Sequence, residues 1–167
     1  MNKHILEKMQ IVSAIVPVNL ATGANAGDWV SLKHYGRCAI VLFTGVGTGS
    51  NDPTMTLLQA TSVSGTSSKA LTFTRADYKD ATALTSLGTF TTVTQTAANT
   101  FTVAGSTTMQ KLWVIDIKAE DLDIDNGFDC LQLSVADVGS NSQLGCALYL
   151  LHEPKDASSS LPSAIVN

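Results

Sequence analysis

The strongest structural signal in the sequence is a series of three β-patterned runs toward its carboxyl end. In residues 113–117 the apolar side chains occupy every second position, which gives an extended strand one apolar face. The same alternation resumes in residues 130–138, after a turn at 125–127 whose Asn and Gly tolerate positive φ. Residues 144–151 are apolar almost throughout, as expected for a strand that is covered on both faces. The three runs therefore predict an antiparallel meander whose last strand is central.

Further strand-like runs precede this region and extend the β pattern over most of the chain. They lie at residues 28–32, 37–44, 54–61, 70–74, 90–96 and 100–104. Strands spaced by roughly 8 to 12 residues, without intervening helices, are typical of antiparallel sandwiches. The sequence therefore predicts an all-β fold, a jelly-roll or Greek-key β-sandwich of about eight strands.

The first 27 residues are predicted to form a separate N-terminal helix and extended arm. Residues 3–13 are the only good helix candidate, because apolar side chains recur there at helical spacing, and Pro17 ends the pattern. Such a segment is weakly anchored, so it is expected either to dock on a neighbouring subunit or to cap the body. The residues expected at a capsid or subunit interface are Ile5, Met9, Val12, Val16 and Trp29. Residues 28–154 then form the sandwich domain, and residues 155–167 form a flexible C-terminal tail.

Composition limits the classes of partner. The chain has 167 residues, enough for one domain with a sizeable core. Only 14% of them are charged, the net charge is -4, and Lys and Arg do not cluster, so nucleic acid is not an expected partner. No apolar run reaches the ~18 residues of a membrane span, and Lys3, Glu7 and Lys8 interrupt any secretory signal. The protein is therefore expected to be made in the cytoplasm and to stay soluble or assembled, without a membrane partner.

Three cysteines, Cys38, Cys130 and Cys146, lie inside apolar strand-like runs. An odd number of cysteines without CxxC spacing favours buried, reduced thiols over a metal site. A Cys130–Cys146 disulfide is the alternative, if the two strands that carry these residues pair with each other.

One acidic cluster has the oxygen spacing with which a calcium-binding loop begins. Asp121, Asp123 and Asp125 alternate along the chain, so an extended backbone would place the three carboxylates on one side. The rest of a calcium loop is missing, because Asn126 stands where glycine is needed and Gln132 where the closing glutamate is needed. The segment is therefore either a surface Ca²⁺ site or the solvated face of a strand edge.

No arrangement of residues in the sequence indicates an active site or a bound cofactor. The glycine-rich segment 45–50 follows a strand, but it lacks the helix start and the Lys-Ser/Thr of a phosphate-binding loop. The three histidines are far apart, and no HExxH or G-x-S-x-G motif occurs. Trp29, Tyr35 and Trp113 are candidates for lining a carbohydrate groove, although alternation favours a core position for Trp113. The chain is therefore expected to be non-enzymatic and to need no cofactor.

Four segments resemble a group of small structural proteins that tailed bacteriophages encode near their capsid genes. They are residues 27–36, 39–61, 69–74 and, above all, 121–154. The similarity covers most of the chain, and the family has no active site to carry over. The resemblance implies a virion component, and within that class a jelly-roll capsid decoration (cement) protein, often a homotrimer over the junctions between major capsid proteins. A head-tail connector, a tail protein and a jelly-roll carbohydrate-binding module are the alternatives.

A cement protein of this kind would lie on the outer surface of the capsid. The arm at residues 1–27 is then expected to carry much of the contact with the shell. Deleting the arm is expected to abolish shell binding while the β-domain stays folded.

Overall fold

The structure of the protein, a computed structural model, describes residues 4–47, 52–82, 88–105, 109–155 and 161–166. It confirms the predicted all-β class, because twelve strands form two antiparallel sheets of six strands each. The strands are β1 (Met9–Asn19), β2 (Asn25–Ala26), β3 (Val30–Ser31), β4 (Tyr35–Thr44), β5 (Thr54–Ala60), β6 (Lys69–Ala70), β7 (Phe73–Ala81), β8 (Thr91–Ala98), β9 (Thr100–Thr102), β10 (Gln110–Lys118), β11 (Cys130–Val135) and β12 (Leu144–Pro154). Helical structure within the described residues is limited to 3₁₀ turns at Ile5–Glu7, Leu20–Thr22, Ala119–Asp121 and Ile124–Asn126.

The strand order of the two sheets is that of a jelly roll. Sheet 1 has the order β1-β12-β4-β10-β7-β8, and sheet 2 has β11 and β5 at its centre. The short strands β2 and β3 share the other side of β11, and β6 and β9 share the other side of β5. If β2 and β3 count as one strand, β6 and β9 count as one strand, and the β7–β8 hairpin is left out, eight strand positions remain. Numbered 1 to 8 along the chain, these positions have the order 1-8-3-6 in sheet 1 and 2-7-4-5 in sheet 2. This interleaving of two Greek keys is the predicted jelly roll, widened by one hairpin.

The β7–β8 hairpin is an insertion into one strand position of sheet 2. Strands β6 and β9 continue one another along β5 in a single register. At the joint, the Leu71 N–H donates to the Leu57 carbonyl at 3.1 Å, and the Leu57 N–H donates to the Asn99 carbonyl at 2.8 Å. The chain therefore leaves the strand after Leu71 and rejoins it at Asn99, and β7 and β8 extend sheet 1 beyond β10.

The core lies between the sheets and is filled by alternate residues of each strand, as the sequence predicts. Trp113, Ile115 and Ile117 of β10 are only 1–3% exposed. The Trp113 ring stacks on Tyr78 of the hairpin, with centroids 4.6 Å apart, and lies 5.1 Å from Phe101 of sheet 2. Trp113 therefore joins three parts of the fold, which are β10, the inserted hairpin and the opposite sheet.

A lysine also points into the core. Lys111 shares the inward register of Trp113 and is buried. Its ammonium donates to the Ala104 carbonyl and lies 3.8 Å from an Asp80 carboxylate oxygen. The rings of Tyr78 and Trp113 lie 5.6 and 5.8 Å from the same nitrogen. These groups replace the water that a buried charge loses.

The amino-terminal segment is a strand of sheet 1, so the predicted helix at residues 3–13 is wrong. Only Ile5–Glu7 forms a 3₁₀ turn, and β1 then pairs antiparallel with β12. The β-branched residues that crowd β1 favour an extended backbone, and pairing with β12 outweighs the helical spacing of a few apolar side chains. Since Ile15 and Leu20 are buried in the core, residues 1–27 are not a separate arm, and deleting them is not expected to leave the domain folded.

Consecutive strands near the carboxyl end lie in alternate sheets, so the predicted meander of β10, β11 and β12 is wrong. Strands β10 and β12 both flank β4 in sheet 1, whereas β11 belongs to sheet 2. Alternation shows which side chains face the core, but the pattern is the same in either sheet. The central position predicted for residues 144–151 is confirmed, because β12 pairs with β1 on one side and with β4 on the other.

Residues 161–166 pack on β3 of sheet 2 and on the start of β4 in sheet 1. The Ser31 N–H donates to the Ala164 carbonyl at 2.7 Å, and the Tyr35 hydroxyl donates to the Pro162 carbonyl. Ala164 is buried in the core. The flexible tail predicted at residues 155–167 is therefore wrong for the described part, residues 161–166.

Replacing Trp113 by alanine is expected to lower the free energy of unfolding by about 3–5 kcal/mol, because it leaves a cavity beside Tyr78 and Phe101. Urea unfolding measures the change. Phe90→Ala is the matched control, since Phe90 is 48% exposed and its loss is expected to cost less than about 1 kcal/mol. Equal losses of free energy of unfolding in the two variants would contradict the role of Trp113 in joining β10, the hairpin and sheet 2.

Candidate functional site: the outward face of sheet 1

The outward face of sheet 1 carries a continuous group of apolar side chains. Residues that pair directly across neighbouring antiparallel strands lie on the same face of a sheet. The outward rows across β12, β4 and β10 are Cys146–Phe43–Leu112, Leu148–Val41–Val114 and Leu150–Ala39–Asp116. The apolar members of these rows, together with Leu144 at one end of β12, form what we call the apolar block.

The apolar block is open to solvent. Leu144 and Leu148 are 62% and 41% exposed, and Ile11 on the adjoining β1 is 46% exposed. The sequence predicts a strand covered on both faces at residues 144–151, but the structure covers only the inward face. The other block residues are half-buried, so the described part of the chain leaves the outward face partly exposed, and this face is a candidate interaction surface.

A shallow groove lies at each end of the apolar block. The first groove is lined by Pro17, Val18, Asn19, Phe43, Gly45, Leu144, Gly145 and Cys146. The second is lined by Ile5, Lys8, Met9, Ala39, Leu150, His152, Glu153 and Pro154. Because most of these side chains are apolar, the grooves suit apolar side chains of a partner protein better than a charged small molecule.

Charged residues flank the apolar block, and several of them form ion pairs. Lys79 of β7 lies directly opposite Leu112, and its ammonium lies 4.3 Å from the centre of the Phe90 ring. Arg37 forms an ion pair with Asp116 of β10, and the His152 imidazole lies 3.9 Å from the same carboxylate. Arg75 donates to Asp77 on the hairpin at 2.9 Å, and this hydrogen bond lowers the pKa of Asp77 because it stabilises the carboxylate. Charges of both signs thus alternate beside the block, and no strong field of one sign surrounds it.

The structure brings only some of the predicted interface residues to this face. Ile5 and Met9 line the second groove, and Val16 is exposed on the neighbouring β1. Val12 instead shares the inward side of β1 and packs on the core. Trp29 lies on sheet 2, between β2 and β3, where its indole contacts the turn that follows β5. Val12 and Trp29 are therefore not part of the candidate surface.

Sequence reasoning missed the centre of the surface, which is formed by the outward residues of β12 and β4. The signal was present, because residues 39–43 and 144–151 are apolar on both alternate sets of positions. Such a pattern predicts that both faces of a strand are buried inside the fold, whereas in the structure the outward face of β12 is exposed at Leu144 and Leu148.

The three carboxylates of the candidate calcium site do not converge. Asp121 accepts a hydrogen bond from the Lys118 N–H at 2.9 Å. Asp123 pairs with Lys69 and accepts from Asn126 at 2.8 Å, and the Lys69 hydrogen bond is the main cause of its lowered pKa. Within the described ranges, no three His, Cys, Asp or Glu side chains lie close enough to hold a metal ion.

The cysteines lie in separate parts of the fold. Cys130 is buried in sheet 2, whereas Cys146 faces outward from sheet 1, so the alternative disulfide between them does not form. Cys38 is buried on β4, and all three residues are free thiols. Burial raises the pKa of Cys130 to about 12, so this thiol stays protonated at neutral pH.

The aromatic residues considered for a carbohydrate groove are dispersed. Trp113 and Tyr35 are buried, and Trp29 lies on the opposite sheet from Trp113. These three rings therefore do not form a shared platform for a sugar. The glycine-rich segment 45–50 falls partly outside the described residues.

Fold and surface together define a class, an antiparallel jelly-roll sandwich with an exposed apolar face on one sheet. Comparison with models of protein families finds no match to the chain, and comparison with curated proteins finds no significant match. Among the described residues, no helix combines the length and the apolar character needed to cross a membrane.

Calcium at millimolar concentration is expected to leave the melting temperature unchanged, because Asp123 is already paired with Lys69 and Asp121 with a backbone N–H. Thermal unfolding with and without CaCl₂, at matched ionic strength, measures this. A rise of several degrees that Asp125→Asn removes would show that the carboxylates do converge on an ion.

Proposed function

We propose that this chain is a non-enzymatic structural protein of a tailed-bacteriophage virion, and within that class a capsid decoration (cement) protein. In this role it binds over the junctions between major capsid protein subunits, on the outer surface of the head, and stabilises the shell. The resemblance of residues 121–154 to phage structural proteins supports the virion assignment. The exposed apolar block supports a role in assembly.

One observation carries the proposal, which is that the described part of the chain leaves an apolar sheet face partly exposed to water. Strands about 4.8 Å apart, with same-face residues about 7 Å apart along each strand, give the block and its β1 border an area of about 400 Å². The largest apolar patch on a typical monomer is of this size and is often functional.

The composition of the chain suits assembly on a crowded lattice. Only 14% of the residues are charged and the net charge is -4, so many copies can lie side by side without strong mutual repulsion. A decoration protein repeats a modest contact many times, and effective concentration then multiplies its binding. Such a role depends on the shape and polarity of a surface, which are the properties that distinguish this face.

A head-tail connector or tail component is the alternative, because the same face would serve contact with another virion protein. A jelly-roll carbohydrate-binding module has less support, since Trp113 and Tyr35 are buried. Binding to isolated virion parts separates these roles.

Shells of the encoding phage, stripped of this protein, provide the test. The wild-type protein is expected to co-sediment with the shells to saturation. Leu148→Asp is expected to bind at least about ten-fold more weakly, because it places a carboxylate in an apolar contact. Thr94→Asp is the matched control, since it adds the same charge on the exposed strand β8, outside the apolar block, and should bind like the wild type.

Two results would contradict the proposal. Failure to bind shells, combined with binding to purified tails or connectors, would transfer the role to the alternative. Equal shell binding by Leu148→Asp and the wild type would remove the apolar block from the contact.

A further inference from the structure

We infer that the side chains of Lys111 and Asp80 join in an amide bond inside the folded protein, and that this bond ties β10 to the inserted hairpin. The proposed function uses neither side chain, so the cross-link would hold the hairpin in place whatever the protein binds. Three features of the pair carry the inference, which are its register, its water-poor surroundings and the hydrogen-bonding groups around it.

The register of sheet 1 brings the two side chains together. Lys111 and Asp80 are direct partners in the antiparallel pairing of β10 with β7. Side chains of direct partners leave the backbone close together on the same face of a sheet. The Lys111 nitrogen lies 3.8 Å from an Asp80 carboxylate oxygen, and atoms poised to react are about 3–3.5 Å apart. Rotation about the lysine side-chain bonds can close the remaining approach to the carboxyl carbon.

The surroundings of the pair favour its uncharged form. The Lys111 side chain is only 6% exposed, and a Cβ on Gly105 would lie 3.4 Å from its nitrogen, so the backbone closes the site there. The rings of Tyr78 and Trp113 lie near the ~6 Å limit of cation–π contact, where they stabilise a cation only weakly. Moving the proton from the ammonium to the carboxylate removes two charges from this site at once. The neutral amine is then a nucleophile beside a carboxylic acid.

The reaction balances within the pair and needs no oxidant or activating group. The amine lone pair forms a C–N bond to the Asp80 carboxyl carbon, and the C–O bond to the acid hydroxyl breaks. The hydroxyl leaves with one amine hydrogen, so the products are an amide and one water. Since the Asp80 side chain is 35% exposed, this water has a path to solvent.

The described neighbours supply hydrogen bonds that suit an amide. The Ala104 carbonyl, which accepts from the ammonium, remains an acceptor for the amide N–H. The Thr44 hydroxyl and the Trp113 indole N–H are buried donors without a partner among the described residues. Thr44 is the direct partner of Lys111 on β4, and Trp113 follows Lys111 on the same face of β10. Donors fixed in place beside a reacting carboxyl group stabilise the oxyanion that forms there.

The mass of the purified wild-type chain tests the inference. The folded protein is kept for several days at room temperature and is then denatured for mass spectrometry. Because the amide releases one water, the chain should be about 18 Da lighter than its sequence. Lys111→Met and Asp80→Ala each remove one reactant and should have the full mass of their sequences. Lys118→Met and Glu120→Ala make the same changes in an exposed ion pair and should keep the loss of water.

Digestion with trypsin locates the bond. Lys79 and Lys111 are consecutive tryptic sites, so the unlinked chain releases residues 80–111. Trypsin does not cleave after an acylated lysine, so the linked chain should release residues 80–118, lighter by one water. Further cleavage after Phe90 or Phe101 should leave the two ends of this peptide joined through their side chains. Lys118 is the internal control, because its nitrogen lies 3.0 Å from Glu120 in solvent and cleavage after it should be complete.

Two results would overturn the inference, and neither depends on whether the variants fold as well as the wild type. The first is a wild-type chain of full mass that trypsin cleaves after Lys111 as readily as after Lys118. The second is a loss of water that persists in Asp80→Ala, because the bond then lies elsewhere. Shell binding is measured separately, so neither result decides the virion role.

Discussion

A hydrogen bond across the core connects the two sheets directly. The Tyr149 hydroxyl, on the inward side of β12, accepts from the Leu133 N–H of sheet 2 at 2.7 Å, beside the irregular stretch between β2 and β3. An unpaired polar group there would cost about 1–3 kcal/mol, and burial raises the pKa of Tyr149 so that its hydroxyl stays neutral. Gly27 is required at the same spot, since a Cβ would lie 2.9 Å from the Leu133 carbonyl oxygen and 3.1 Å from the Tyr149 hydroxyl. The position of β12 above β11 depends on this crossing.

The arrangement of the outward side chains of sheet 1 follows from the arrangement of its inward side chains. Side chains alternate along a strand, so anchoring Tyr149 in the core also sets where Leu148 and Leu150 point. A face built on the central strands of a sheet is already arranged before a partner arrives, and little conformational entropy is lost when it is covered. A flexible arm at residues 1–27 would have had to lose that entropy on binding, but the structure uses this segment as a strand.

Period-two alternation predicts the all-β class and most inward residues, including Trp113, because it reports directly on burial of one face. It fails at residues 3–13, where a few apolar side chains fit helical spacing and the deciding interaction is pairing with a distant strand. It does not predict that Lys111 points inward, because the carbonyl and carboxylate that stabilise it come from outside its own strand. At the candidate site, residues 144–151 are apolar on both faces of the strand, a pattern that is typical of a strand covered on both sides. The pattern does not indicate whether the covering atoms belong to the same chain.

The hairpin inserted between Leu71 and Asn99 gives the fold a point at which the chain can change length. Hydrogen bonds on both sides of Leu57 close the strand across the insertion, so the register along β5 is independent of what lies between. Strand β8 of the hairpin forms the edge of sheet 1 opposite β1, with β7 and β10 between it and the centre of the apolar block. The architecture thus separates the exposed apolar face from the hairpin edge of sheet 1, and that edge is a natural place to graft and display a foreign peptide.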